Sequence, residues 1–272
     1  MNYSVLMSVY KKEEPEYLKA SIESILNQTI LPDQFIIIKD GPLTEKLDEV
    51  IAQAEKANPN LIDIICNEIN IGLGPSLAKG VLASKNELIA RMDSDDYSAP
   101  ERCERLLRLF EQDNDLGIAG CYESEFIDSI ENVVAIHKVP ETDEEIRKFM
   151  RRRCAILHPT VVFKKSEVIR SGNYRSVHLY EDYDLFARMI LEHNVKGYNI
   201  QEPLYHIRVS NDFFKRRGGF RYAKTVLKFK WGMFRKGYMS IGDFCISGLG
   251  QALVSIMPNK LRESFYMKFL RK

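Results

Sequence analysis

The stretch RMDSDDYSAP at residues 91–100 places three carboxylates, Asp93, Asp95 and Asp96, within four positions. It follows directly on the apolar run Leu88-Ile89-Ala90. Two carboxylates at i and i+2 on an extended segment repel each other unless a cation sits between them, and burial sharpens the conflict. Hard oxygen donors favour Mg2+ or Mn2+. Such an ion keeps part of its coordination shell for substrate phosphates, so the chemistry suggested is a metal-held diphosphate. A plainer reading stands beside it: a solvated loop entering a helix, with Ser98 as cap and Pro100 in the first turn. An EF-hand is excluded, because its glycine and distant glutamate are missing from the required spacing. No G-x-x-x-x-G-K-[ST] occurs, and no G-x-G-x-x-G follows the first apolar run, so P-loop and dinucleotide-binding readings are weak.

A second acidic pair, Glu181-Asp182, stands where a helical period begins and runs on through Tyr183-Asp184-Leu185. Acids at a helix start cap it and favour its dipole, which alone would account for them. Lone histidines and basic runs, such as His158 and Arg151-Arg152-Arg153, are most simply packed or solvated groups.

These residues need a scaffold, and the apolar pattern supplies one. Tyr3–Val9, Phe35–Ile38, Leu61–Cys66 and Glu87–Met92 are short apolar runs that read as strands. Helical periods separate them: Pro15–Asn27, Thr44–Ala57, and a helix opening at Gly74-Pro75-Ser76 and ending near Ser84. Non-alternating apolar strands are buried on both faces, which predicts a parallel sheet covered by helices. Ligands of such sheets bind beyond the carboxyl ends of the strands. Ser8 and Tyr10, Asp40, Asn70–Gly74 and Asp93–Asp96 should therefore line one crevice. Further on, Glu101–Phe110 and Asp182–His193 read as helices and Gly117–Tyr122 as a strand. Val133–His137 and Thr160–Phe163 read as strands of a smaller sheet.

Hydrophobic residues make up 45% of the 272, enough for a sizeable core. Five scattered cysteines form no CxxC pair, so no zinc site or disulfide framework is expected, and a reducing compartment is the default. The amino terminus lacks the basic start and apolar stretch of a signal peptide. A net charge of +1 hides an asymmetry: residues 213–272 carry 14 Lys and Arg against Asp243 and Glu263. The first 212 residues are correspondingly acidic. A cationic end suits an anionic surface, membrane or nucleic acid, but no nucleic-acid motif accompanies it and no nucleic-acid partner is expected.

Taken together, SVLMSVYKKE, ASIESILNQT, IKDGP, NIGLGPSLAKG and ELIARMDSDDYSAPERCERLL, followed by LHPTVVFKK and YEDYDLFARM, resemble the family 2 glycosyltransferases of GT-A fold. The resemblance covers about residues 1–205 and is greatest to bacterial enzymes of O-antigen, capsule or exopolysaccharide synthesis. It implies an α/β nucleotide-sugar-binding fold with a mostly parallel central sheet flanked by helices. It also implies inverting transfer of a hexose from a UDP-sugar, with Mn2+ or Mg2+ as cofactor.

By that resemblance Asp40 matches the aspartate that hydrogen-bonds uracil, although a turn former before Gly41-Pro42 reads the same way. Ser8 and Tyr10 lie against the nucleoside. Asp95 ligates the metal, Asp93 touches ribose or metal-bound water, and Asp96 supports them or meets a sugar hydroxyl. Arg91 pairs with these acids. Lys79 is a phosphate partner or a solvated helix residue; many relatives carry asparagine before it, where this chain has Ala78. Glu181-Asp182 supplies the base, with Asp182 abstracting the proton and Glu181 binding a hydroxyl, or the reverse. His158-Pro159-Thr160 matches a segment beside the acceptor, and Arg151 and Arg153 could meet the diphosphate of a lipid-linked acceptor.

The expected division is a catalytic domain over 1–212 and a basic, aromatic-rich helical extension over 213–272. Phe213-Phe214-Lys215-Arg216-Arg217, Phe220-Arg221-Tyr222 and Leu227–Trp231 mix aromatics with cations. Phe244–Met257 is uncharged over 14 residues, short of the roughly 20 needed to span a bilayer, and its glycines at 248 and 250 weaken it as a helix. Two readings follow: an amphipathic segment lying on an anionic membrane, or a helix packed on the domain. The expectation is a cytoplasmic enzyme held at the inner membrane face, acting on a glycan linked to undecaprenyl diphosphate. A nucleotidyltransferase acting on sugar phosphates, or a non-catalytic membrane-binding module, are the alternatives.

Overall fold

A computed structural model describes residues 1–209 and 218–258. The proposed boundary at 212/213 and the cluster Phe213–Arg217 lie outside the described residues. Among them the chain runs β1 (Tyr3–Val9), α1 (Pro15–Leu26), β2 (Gln34–Lys39), α2 (Glu45–Ala57), β3 (Ile62–Cys66), α3 (Leu73–Ala83) and β4 (Leu88–Met92). Pro15 opens α1, which buries Leu18, Ile22 and Ile25 along one stripe. Thr44 caps α2 by accepting from the Leu47 N–H at 3.4 Å. The four strands pair in parallel in the order β3-β2-β1-β4.

The strands lack alternation because the sheet has two covered faces. Tyr3, Val5, Met7, Phe35 and Ile37 face a core shared with α1 and α2. Leu6, Ile36, Ile38 and Ile89 face a second core, under α3. In β1, β2 and β4 a residue of either parity is buried, so these strands read as nearly continuous apolar runs; the edge strand β3 is only partly covered.

The second half departs from the expected smaller sheet. β5 (Tyr97–Ser98), α4 (Arg102–Gln112), β6 (Leu116–Phe126), β7 (Val133–His137), α5 (Asp143–Met150), β8 (Val162–Lys164), α6 (Lys165–Arg170), α7 (Glu181–Ala187) and β9 (Lys196–Arg208) complete the body. β8 joins β4 antiparallel and so continues the same sheet, in the order β4-β8-β6-β9-β5, with β7 on β6. The nine described strands form one mixed sheet, parallel over β3-β2-β1-β4 and between β6 and β9. Thr160 belongs to a 3-10 turn, His158–Thr160, and not to a strand. Ser98 lies in β5, and α4 begins only at Arg102, so Ser98 is no helix cap. The thirteen residues of β9 carry Glu202-Pro203 and several polar side chains, which hide a strand from pattern reading. The β6–β9 register shifts where Tyr122 meets Pro203 and so accommodates the proline.

The described extension is helical and docked. α8 (Phe220–Arg235) buries Ala223, Val226, Lys230 and Met233. Val226, Met233, Tyr238 and Met239 belong to the same core as α7. α9 (Ile241–Asp243) continues through a π-helical segment (Phe244–Leu249) into α10 (Gly250–Ile256). The two glycines do not break this helix. A Cβ on Gly248 would come within 3.3 Å of the Lys230 Cβ, so its absence allows α8 to approach. No described helix is long and apolar enough to cross a membrane.

Candidate active site

β4 ends by delivering Arg91, which is 1% exposed, to the floor of the cleft. One of its nitrogens pairs with the Asp93 carboxylate. Its Nε and Nη1 are buried without a protein partner. The Asp93 N–H donates to the Tyr205 phenol oxygen at 3.1 Å, tying the acidic loop to β9. Asp96 is buried and works inward: its carboxylate accepts the Arg208 N–H at 2.9 Å, and its carbonyl accepts the Ser21 hydroxyl at 2.5 Å. Arg208 also donates from Nε to the Asp95 carbonyl at 3.2 Å, with its guanidinium 4.0 Å from the Tyr17 ring centroid. Arg208 thereby holds the main chain of Asp95, whose side chain is half-buried.

Burial first, then the charges of Asp93 and Glu13, push the Asp95 carboxyl up to about 7. Asp96 is raised well above its ordinary value by burial and by Asp95 and Asp93. Glu13, from the loop after β1, accepts the Ser94 hydroxyl at 2.5 Å and so stands against the acidic loop. Carboxylates crowded out of water in this way call for a cation. Among the described residues no group of three His, Cys, Asp or Glu side chains could hold a metal by itself. Two hard carboxylates, completed by the oxygens of a diphosphate, are a donor set that fits Mg2+ or Mn2+.

At the opposite end of the cleft, Asp40 follows β2 and is buried. Its carboxylate accepts the N–H groups of Ile71 and Gly72 at 2.8 and 3.0 Å and the Asn67 amide at 3.1 Å. It shapes the 67–72 loop, and the positive φ of Gly41 (86°) lets the chain turn under Asn70. Lys79 is exposed and donates to Asn67 Oδ1 at 2.7 Å, bracing the same loop from α3. Ser8 is half-buried at the end of β1, with Tyr10 exposed just beyond it. These residues sit around the ends of β1 and β2, and Asp40 and Lys79 are engaged with the protein.

The second carboxylate pair enters at the start of α7. Leu179 has a left-handed backbone (φ 66°), an uncommon conformation for a side-chain-bearing residue, and it turns the chain into Tyr180-Glu181-Asp182. Burial, then Glu181, pushes Asp182 up to about 6. Burial also raises Glu181, with Asp93 adding to the shift and Arg91 opposing it. The metal-type acids and the helix-start acids therefore feel one another across Arg91. α3 closes on this point because Gly74 lacks a Cβ, which would stand 2.5 Å from the Arg175 carbonyl and 3.2 Å from the Glu181 Cβ.

His158 Nε2 lies 3.0 Å from the Tyr174 hydroxyl, and its ring also contacts Phe186. Burial and the Arg91 charge hold it well below the ordinary imidazole value, so it is neutral here and supplies no cation. Arg151 and Arg153 are exposed on the 151–153 turn; Arg153 lies 5.7 Å from the Phe149 ring centroid. Arg152 instead pairs with Asp243 of the extension at 2.5 Å. Sequence reasoning missed Glu13, Tyr174 and Tyr205 as neighbours of the acids. It also missed that Arg91 faces both pairs. Only Arg91 carried a signal, as a charge ending an otherwise apolar strand.

The site thus joins a metal-type acidic pair, residues at the ends of β1 and β2, and a half-buried carboxylate pair at a helix start. Residues 4–170 match the family described as glycosyl transferase family 2. The chain belongs to that family. The transferase is 35% identical over 270 residues, 99% of this chain and 97% of the relative, to a UDP-Gal:alpha-D-GlcNAc-diphosphoundecaprenol beta-1,3-galactosyltransferase of Escherichia coli. It is 32% identical, over 98% of both chains, to the amylovoran biosynthesis glycosyltransferase AmsE of Erwinia amylovora. In fold, the family 2 transferase is similar to the mannosyltransferase PcManGT of Pyrobaculum calidifontis in complex with GDP-Man and Mn2+. The TM-score is 0.62 at 12% identity, covering 96% of this chain and 71% of that one. It is also similar to residues 1–349 of S. aureus TarS in complex with UDP, at TM-score 0.58 and 16% identity, covering 84% and 66% of the two chains. Together these establish a GT-A glycosyltransferase of the kind found in bacterial polysaccharide synthesis.

Proposed function

We propose that this glycosyltransferase moves a hexose, with inversion, from a UDP-sugar to a glycan carried on undecaprenyl diphosphate. The observation that carries this reading is the meeting of the Asp93/Asp95 and Glu181/Asp182 pairs about Arg91. The full-length likeness to the E. coli galactosyltransferase supports the donor and acceptor classes.

In the proposed reaction Asp182 accepts the proton of the acceptor hydroxyl as its oxygen bonds to the anomeric carbon. The bond from that carbon to the diphosphate oxygen breaks, and its electron pair leaves with UDP. A divalent ion held by Asp95 and Asp93, when bound, would supply the positive charge that the leaving diphosphate requires. Arg91 holds Asp93 in place and tempers the negative charge between the two pairs. Glu181 is set to orient a sugar or acceptor hydroxyl. Ser8, Tyr10 and Asp40 form the nucleoside end, Asp40 by shaping the loop that closes it. Lys79 acts through Asn67 and not on phosphate. His158, uncharged, would offer a hydrogen bond to the acceptor, while Arg151 and Arg153 are free to meet its diphosphate. The test is a panel of nucleotide hexoses offered with a synthetic N-acetylglucosaminyl diphospholipid. Transfer from a UDP-hexose with inverted anomeric configuration is expected, and transfer only from GDP- or CMP-sugars would sink the reading.

The extension fits contact with an anionic membrane. Phe220, Trp231, Ile246, Leu249 and Leu253 are exposed on its outer face, with Arg221, Lys224 and Lys228 beside them. Apolar groups flanked by cations suit the headgroup boundary of a bilayer. Replacing Trp231 and Leu249 together with Ala should weaken co-sedimentation with anionic phospholipid vesicles about tenfold or more. Equal sedimentation of the variant and the parent protein would remove this face from the account.

A further inference from the structure

Of the two sequence readings of the extension, packing on the domain holds for α8, and two of its consecutive residues grip the segment that carries the Glu181-Asp182 pair. The Phe229 ring stacks flat on Tyr180, with centroids 4.2 Å apart and planes 4° from parallel. It also meets Tyr183 at 5.2 Å. Lys230 is 1% exposed. Its ammonium donates to the Tyr183 oxygen at 3.1 Å and to the Arg152 carbonyl at 2.6 Å. Tyr183 in turn donates to the Met150 carbonyl at 2.7 Å. Tyr180 and Tyr183 bracket the two acids.

Three considerations separate this from ordinary packing. α7 and the π-helical segment that continues it, Arg188–Glu192, make one short helical stretch, marginal without tertiary support. The left-handed Leu179 just before it persists only if its neighbours are fixed. A buried lysine is also a costly way to fill space; burial holds its amine down at about 7, and an aliphatic side chain would pack without that cost. What the amine adds is direction, through two defined acceptors.

We propose that Phe229 and Lys230 are positioning residues for transfer: through Tyr180 and Tyr183 they set the aim of the Glu181-Asp182 pair. This rests on the reading of Asp182 as base. The test uses the full chain with a short, detergent-soluble acceptor diphospholipid, so that membrane attachment plays no part. Phe229→Leu, which stays apolar but removes the ring, and Lys230→Met should each lower kcat about 30-fold while the KM for the sugar donor stays within about twofold. Phe229→Tyr, which keeps the stack, should retain kcat. Should Lys230→Met fail to fold, Phe229→Leu decides. If kcat in Phe229→Leu, and in Lys230→Met where it folds, stays within about twofold of the parent, the proposal is overturned. A loss that falls on donor KM alone overturns it as well. Asp182→Asn, run in parallel, separates the two ideas: activity surviving there overturns the base assignment, whereas its loss beside unaffected α8 variants overturns only the positioning role.

Discussion

Asp182→Asn is expected to lower kcat by about three orders of magnitude while UDP binding and the unfolding temperature stay near those of the parent. Asparagine keeps the shape but cannot take up the acceptor proton. Glu181 is the nearest substitute, and Glu181→Gln should cost less, with the loss divided between kcat and acceptor KM. The reverse order of effects would exchange the two roles. The same carboxylate sets a pH dependence. Its ordinary value is near 4, but burial and Glu181 raise it to about 6. The active form is the ionised one, so kcat should be steady above that point. Below about pH 6 it should fall about tenfold per unit as the base is protonated. A profile measured with saturating donor and acceptor checks this. An acid limb that remains unchanged in a residually active Asp182→Asn enzyme would assign the titration elsewhere.

Asp95→Asn is expected to reduce transfer about a thousandfold, and chelation of divalent ions should do the same to the parent protein. Binding offers a separate readout. Calorimetric titration with UDP should show tighter binding with Mn2+ than without it in the parent, and no difference in the variant. Stability should move the other way from activity. Asp95 is a largely buried carboxylate crowded by Asp93 and Glu13. Removing its charge in the absence of metal should therefore leave the unfolding temperature unchanged or raise it. Metal-stimulated UDP binding that persists in Asp95→Asn would take the metal away from this residue. Asp96 makes a useful contrast. Its carboxylate receives the Arg208 N–H and helps fix β9 to the acidic loop, so Asp96→Ala should destabilise the fold as well as the activity.

The amino-terminal half of the fold was legible because each element there carries a local cause. Pro15 starts α1, Thr44 caps α2, and β1, β2 and β4 are nearly continuous apolar runs because both sheet faces are covered there. Motif order, read at the strand ends, led to the family and to the residues around the cleft. β9 was not legible, since a strand containing Glu202-Pro203 is stabilised by its register against β6 and not by its own pattern. The single continuous sheet was equally hidden, because β8 owes its place beside β4 to pairing between residues some 70 positions apart.

What this chain's sequence determined by itself was the inventory: carboxylates at i and i+2 after an apolar strand, an acidic pair at a helix start, and a cationic carboxyl-terminal end. Local spacing and charge are written in neighbouring residues and need no partner to be read. What only the tertiary structure decided was which of those groups share a field. Arg91 lies between two acidic pairs about ninety residues apart in sequence, Asp40 and Lys79 are turned to bracing a loop, and Lys230 is drawn inside to meet Tyr183. Such choices depend on desolvation and long-range contact, which arise only when distant segments close on one another.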